Sequence, residues 1–172
     1  MTEIVIRKRK LNLAPSFSTI NIVPKSSMVS LEKSPMEITN RPWVHYELNG
    51  RGAYGGGKWM VFYPKTEINL KWRQIRNLYS KGKLPGVYGL KCSTGYSNPR
   101  ESNPDNGVII VFCNSADDNN IMQVGNNLVL LDPDIPANWI YYKTDNQTWN
   151  GTQSTGSVKN HTFRVATQRN LK

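Results

Sequence analysis

Histidine and cysteine are scarce in this chain, with two of each among 172 residues. A zinc site takes three or four converging ligands. His45, His161, Cys92 and Cys113 show none of the short spacings that build one, so neither a metal nor a cofactor is expected. The same scarcity bears on catalysis. Two His-x-Thr/Ser motifs would mark a phosphodiesterase, but His45 is followed by Tyr46-Glu47 and His161 by Thr162-Phe163. Cys92 and Cys113 lie in apolar stretches and read as inert core thiols, which suits a reducing compartment. Long apolar runs are missing too. No stretch of 18 apolar residues exists, so neither a membrane span nor a membrane partner is expected. No apolar segment follows the charged N-terminal residues in the manner of a secretory signal. A cytoplasmic location is the expectation, or a nuclear one if Arg7-Lys8-Arg9-Lys10 serves import.

Acidic residues are few as well: 12, against 22 Lys and Arg, for a net charge of +10. Residues 1–40 hold six of the basic residues and three of the acidic ones, and are poor in aromatics. This stretch reads as a basic, disordered arm. One domain is expected over residues 41–172, and it is itself basic. Such a charge favours polyanionic partners, with ordinary solubility as the plain alternative.

Aromatics and alternating apolar stretches are what the chain does have. Trp43-Val44-His45-Tyr46 reads as a short strand, and a glycine-dense loop at 49–57 follows it. That loop lacks the Gly-Lys-Ser/Thr ending of a phosphate-cradling loop and leads into a strand, not a helix. Residues 58–63 form the strand, and Pro64 ends it. Thr66 is the expected N-cap of a helix whose buried face is Ile68, Trp72, Ile75 and Tyr79, widened by Leu78. Lys71, Arg73 and Arg76 are read as lying off that face, with Gly82 as the stop. Val87–Ser93 is a second core strand. Val108–Cys113 is a nearly continuous apolar run, expected as a central strand buried on both faces. A second helix follows Ser115-Ala116-Asp117-Asp118 and runs to about Leu131. Trp139–Lys143 reads as a strand, 144–161 as turns, and Thr162–Ala166 as an edge strand. The pattern is α+β: a curved antiparallel sheet with two helices packed on one face.

The candidate ligand residues follow from placement. Trp43, Tyr54 and Tyr96 lie at the domain edge or in loops, where stacking on a base is open to them. Arg51, Lys58, Arg76 and Arg100 are the candidate phosphate contacts. Trp59 and Trp72 sit where core packing expects them. Asp117-Asp118 is read as helix capping before cation binding.

Gly57-Lys58-Trp59 with its apolar strand, Trp72 and Ile75, Gly82-Lys83-Leu84, the Val-Ile-Ile-Val-Phe strand, Asp117-Asp118 and Tyr142-Lys143-Thr144-Asp145 occur in an order that resembles the basophilic-leukaemia-expressed protein family. The resemblance implies the fold of the cap-binding translation initiation factor 4E and a loose link to RNA. The two cap-stacking elements have no counterpart. Pro64-Lys65-Thr66 carries no aromatic, and Tyr96 and Glu101 are not adjacent. The leading expectation is a non-enzymatic protein that binds RNA or a nucleotide-like anion. A second is a protein-interaction or inhibitor module whose arm meets an acidic partner, including a viral form that sequesters a nucleotide signal or host factor. A third is a phosphoester-processing enzyme using His45, His161 and Asp117-Asp118.

Overall fold

The structure is a computed structural model, and it describes residues 33–47, 56–99, 103–113, 117–149 and 161–171. Arg51, Tyr54, Arg100 and the first 32 residues lie outside the described residues. In chain order the strands are β1 (Trp43–Tyr46), β2 (Gly57–Pro64), β3 (Val87–Ser93), β4 (Asn106–Cys113), β5 (Trp139–Thr144) and β6 (Phe163–Ala166). The α-helices are α1 (Lys65–Ser80), α2 (Asp118–Leu131) and α3 (Asp145–Trp149). The strands form one antiparallel sheet in the order β1-β3-β4-β2-β5-β6. The fold is therefore α+β, and the described residues form a six-stranded antiparallel sheet and three α-helices.

Strand side chains point alternately to the two faces of a sheet, and one face here carries the core. Trp59, Val61 and Tyr63 from β2 join Leu90 and Cys92 from β3, and Ile109, Val111 and Cys113 from β4. Ile140, Tyr142 and Val165 extend the set across β5 and β6. Ile68, Trp72, Ile75 and Tyr79 of α1 cover one half of this face, and Ile121, Val124, Leu128 and Val129 of α2 close it. Trp59 is the centre of the join. Its Nε1 donates to the Ile121 carbonyl at 3.1 Å, and its ring lies so close to Gly125 that any Cβ there would collide with it. A glycine in mid-helix has low helix propensity. Here it lets an indole pack against the α2 backbone.

The local signals explain the helix ends, with two surprises. Asp117 caps α2, its carboxylate accepting from the Asn119 N–H at 2.8 Å. Gly82 takes the left-handed conformation (φ 67°) just beyond α1. The expected cap Thr66, however, lies inside α1. The N-cap position is Pro64, which has no capping side chain, and the Lys65 N–H donates instead to the Asp105 carbonyl at 2.8 Å. A tertiary contact has replaced the local cap. The stretch read as turns after Thr144 begins with a helix, α3. Thr144 and Gln147 form a reciprocal capping box: the Thr144 N–H donates to Gln147 Oε1 at 3.0 Å, and the Gln147 N–H to Thr144 Oγ1 at 3.2 Å.

Lys71 corrects another expectation. Read as lying off the buried face, it is 5% exposed. Its Nζ meets Asp132 Oδ1 at 2.7 Å, and the Tyr63 hydroxyl donates to Asp132 Oδ2 at 2.6 Å. The cluster ties α1 and β2 to the residue that ends α2. A buried ammonium is tolerable only with such a partner. Burial and the adjacent carboxylate push the Tyr63 hydroxyl well above the usual phenol range. The packed chain also reaches back into the stretch assigned to the arm. Pro35–Glu37 forms a 3-10 turn, the Met36 N–H donates to Asn69 Oδ1 of α1 at 3.0 Å, and Pro35 and Ile38 are buried.

Candidate functional site

The sheet face turned away from α1 and α2 departs most from expectation. β4 is not buried on both faces along its length. Ile109, Val111 and Cys113 are buried in the core; of the residues pointing the other way Ile110 is buried, whereas Val108 and Phe112 are only half-buried. The apolar run marks an apolar floor on the outer face. Cross-strand pairing sorts that face into three rows. One holds Trp43, Ser93, Val108 and Phe62, tied by the Val108 N–H donating to Ser93 Oγ at 2.9 Å. The next runs His45, Lys91, Ile110, Met60, Tyr141 and Arg164. The third holds Gly89, Phe112, Lys58 and Lys143. Successive rows on one face are two residues apart, about 7 Å.

The third and second rows gather positive charge. Lys58 and Lys143 face each other directly across β2 and β5, a like-charge pairing that destabilises a sheet. Lys58 is partly compensated by Asp145 at 3.2 Å. Lys91 has its ammonium pKa lowered from the ordinary 10.5, by burial first and by the charge of Lys58 second. Lys143 is lowered for the same two reasons in the same order. The lysines thus feel one another across the sheet. Lys91 Nζ also sits 3.9 Å from the Trp43 ring centroid, and Arg164 lies 4.2 Å over Trp139. Tyr88 stacks on Phe112 at 5.8 Å, and the irregular register between Val87 and Gly89 brings its ring to this face.

At one end of the rows is a cavity of about 210 Å³. Trp43, Phe62 and Tyr96 give it three aromatic walls, and Asn98, Asn103 and Asn106 bring side-chain amides. The loop carrying Tyr96 is held down by Thr94. Its Oγ1 donates to the Arg41 carbonyl and accepts from the Tyr96 N–H at 3.3 Å. Ring faces together with amide donors and acceptors suit a flat, polar-edged heterocycle.

Among the sequence-derived candidates, Trp43 and Tyr96 line this cavity, and Lys58 lies on the same outer face two rows away, about 14 Å. Arg76 does not. It stacks 4.3 Å over Tyr46 on the helix side and lines a separate cleft beside β1. Arg51, Tyr54 and Arg100 lie outside the described residues. Lys91, Lys143 and Phe62 were missed. Their signal was a cation or exposed ring set between core residues of a strand, as in Leu90-Lys91-Cys92.

Comparison of the chain with known protein families and with characterised proteins gives no match. The reading of the site therefore rests on its chemistry.

Catalytic arrangements find little support in that chemistry. His45 is on β1 at one end of the sheet, and His161 packs 4.8 Å from Tyr141 of β5. Four inter-strand steps separate those strands, roughly 19 Å. Burial, Lys91 and Arg41 together lower the His45 pKa, although Glu47 opposes them. Burial also pushes the Cys92 thiol up to about 12 and Cys113 up to about 11, leaving neither poised as a nucleophile. Among the described residues no group of three or more His, Cys, Asp or Glu is placed to hold a metal ion. No helix among them is long and apolar enough to cross a membrane.

Proposed function

We propose that the chain is a binding protein for RNA or a nucleotide-like anion, with the outer sheet face as its site and an initiation factor 4E-like fold as its scaffold. The base enters the cavity of Trp43, Phe62 and Tyr96, with Asn98, Asn103 and Asn106 along its polar edge. The phosphates lie over Lys91, Lys58 and Lys143. The observation that carries this reading is the Lys91 ammonium 3.9 Å from the ring of Trp43, a wall of that cavity, with Lys58 and Lys143 farther along the same face. An anion over the row turns a repulsive arrangement into an attractive one. Phosphate contacts supply salt-sensitive affinity, and stacking supplies a further roughly 1–3 kcal/mol per base.

Titration of the full chain with single-stranded RNA, a cap analogue and cyclic dinucleotides, at two salt concentrations, tests the proposal. Binding should weaken with salt. Lys58→Ala should reduce the salt slope by about one. Tyr96→Ala should weaken binding by about 1–3 kcal/mol with the salt slope unchanged. Failure of every ligand to bind at low salt sinks the reading.

A further inference from the structure

β1 turns part of its backbone hydrogen-bonding groups away from its partner strand. Among the described residues it pairs only with β3 and forms one edge of the sheet. The Thr94 N–H donates to the Pro42 carbonyl at 3.2 Å, so Pro42 and Thr94 are a hydrogen-bonded pair. Antiparallel pairs alternate between bonded and non-bonded types. Val44 and Tyr46 therefore spend their backbone groups on β3, and Trp43 and His45, opposite Ser93 and Lys91, turn their N–H and C=O groups outward. Four aligned backbone groups of this kind are a template for an added strand.

Beside that edge lies a cleft of about 820 Å³ lined by all four residues of β1. Its far walls are the chain from Glu37 to Arg41 and the α1 residues Trp72 and Arg76. The rim is basic: Lys33, Arg41 and Arg76 outnumber Glu37. A strand added here would alternate its side chains between the α1 side, under Arg76, and the outer face, beside Lys91. The α1 side favours carboxylates most, since on the outer face Glu47 sits near His45 and Gly89 and offsets part of the Lys91 charge. A second copy of the chain pairing edge to edge would instead bring Arg41, Arg76 and Lys91 against their own counterparts.

We infer that β1 takes an extended, acidic segment of a partner protein as a seventh, antiparallel or parallel strand, held by the outward backbone groups of Trp43 and His45 and by the basic rim. This surface is distinct from the cavity of Tyr96, though both share Trp43.

The test uses the full chain and a fluorescent peptide of alternating Glu and Val, ten residues long. One comparison peptide has the same sequence with an N-methyl group on every residue, and another has Lys in place of Glu. The first should bind one to one. N-methylation, which removes the peptide's own backbone donors to the β1 carbonyls and leaves its charge intact, should weaken binding at least tenfold. The Lys peptide should not bind. His45→Pro removes one outward N–H at a position where an edge strand tolerates proline, and should weaken binding at least tenfold while the thermal transition stays cooperative. Equal binding of the methylated peptide overturns strand addition, because charge alone then suffices. Absence of any peptide binding also overturns it. So does a dimer in sedimentation that the peptide fails to dissociate, which would give the edge to a second copy. Single-stranded RNA losing affinity in His45→Pro, with no peptide bound, would assign the cleft to nucleic acid.

Discussion

The two faces of this sheet are made by alternate residues of the same strands, yet they obey opposite rules. On the helix side, Trp59, Val61 and Tyr63 are fully buried against the helices. One residue away along the same strand, Lys58, Met60 and Phe62 face outward over an apolar floor edged with ammonium groups. The first face is arranged for packing. The second contains a like-charge cross-strand pair, half-buried lysines and an exposed Phe62, an arrangement that core packing alone does not call for. Where a strand tolerates groups that work against its own stability, the reason lies in what those groups meet in use. The contrast is the main argument for placing the site on the outer face.

The sharpest way to test the contrast is to truncate neighbours. Trp59→Ala removes an indole with no exposed area, its hydrogen bond to Ile121 and its packing against Gly125. The expected loss is about 3–5 kcal/mol of unfolding free energy. Lys58→Ala, one residue away, should change stability by about 1 kcal/mol or less, since an ion pair near the surface contributes little. Urea denaturation of both variants checks this. A loss at Lys58 equal to that at Trp59 would mean that the outer face is also structural.

Much of this frame was legible in the sequence, because it rests on local periodicity. The alternation of β2, the helical spacing of Ile68, Trp72, Ile75 and Tyr79, and the Asp117 cap all depend on residues a few positions apart. What escaped depended on distant partners. Lys71 is buried only because Asp132 meets it from 61 residues away. Its helical position, one turn before Ile75, was compatible with burial, and its residue type argued against it. The α1 start was misplaced because Asp105 supplies the acceptor that Thr66 was expected to supply. The site divides in the same way. Trp43, Lys58 and Tyr96 could be picked out one at a time, as exposed rings or a cation at a strand start. That Lys143 stands opposite Lys58 and that Lys91 senses both burial and Lys58 follow from register, which no single segment encodes.

The comparison becomes finer when pH is used to read the outer face. Burial and Lys58 disfavour the ammonium form of Lys91, so its folded-state pKa lies below the ordinary 10.5. For a lysine shifted downward, the unfavourable charge is fully present at neutral pH. It is relieved as pH rises through the folded-state pKa toward 10.5. Over that window the unliganded protein gains stability from Lys91. A bound anion reverses the preference and draws a proton in, so affinity should fall several-fold over the same window. Arginine stays protonated there, so Lys91→Arg should flatten the affinity profile. Calorimetry in buffers of different ionisation enthalpy should detect the proton uptake. A flat wild-type profile up to pH 10 would show that Lys91 does not face the ligand.

The smallest effect separates the two faces most clearly, because its sign differs between stability and binding. Lys143→Met keeps the length and β-compatible stem of the side chain and removes one charge of the Lys58–Lys143 pair. Relief of like-charge repulsion in a directly opposed pair is worth about 0.2–1 kcal/mol, so the variant should be slightly more stable than the parent. If the lysines are held for an anion, the same variant should bind single-stranded RNA more weakly, with a salt slope lower by about one. A core residue of the other face cannot give this result, since truncation there lowers stability first and binding only as a consequence. Thermal melts at low and high salt supply the check: the gain should shrink at high salt, where screening already weakens the repulsion. A variant that is less stable at every salt concentration would place Lys143 among the structural residues and leave Lys58 and Lys91 to hold the ligand.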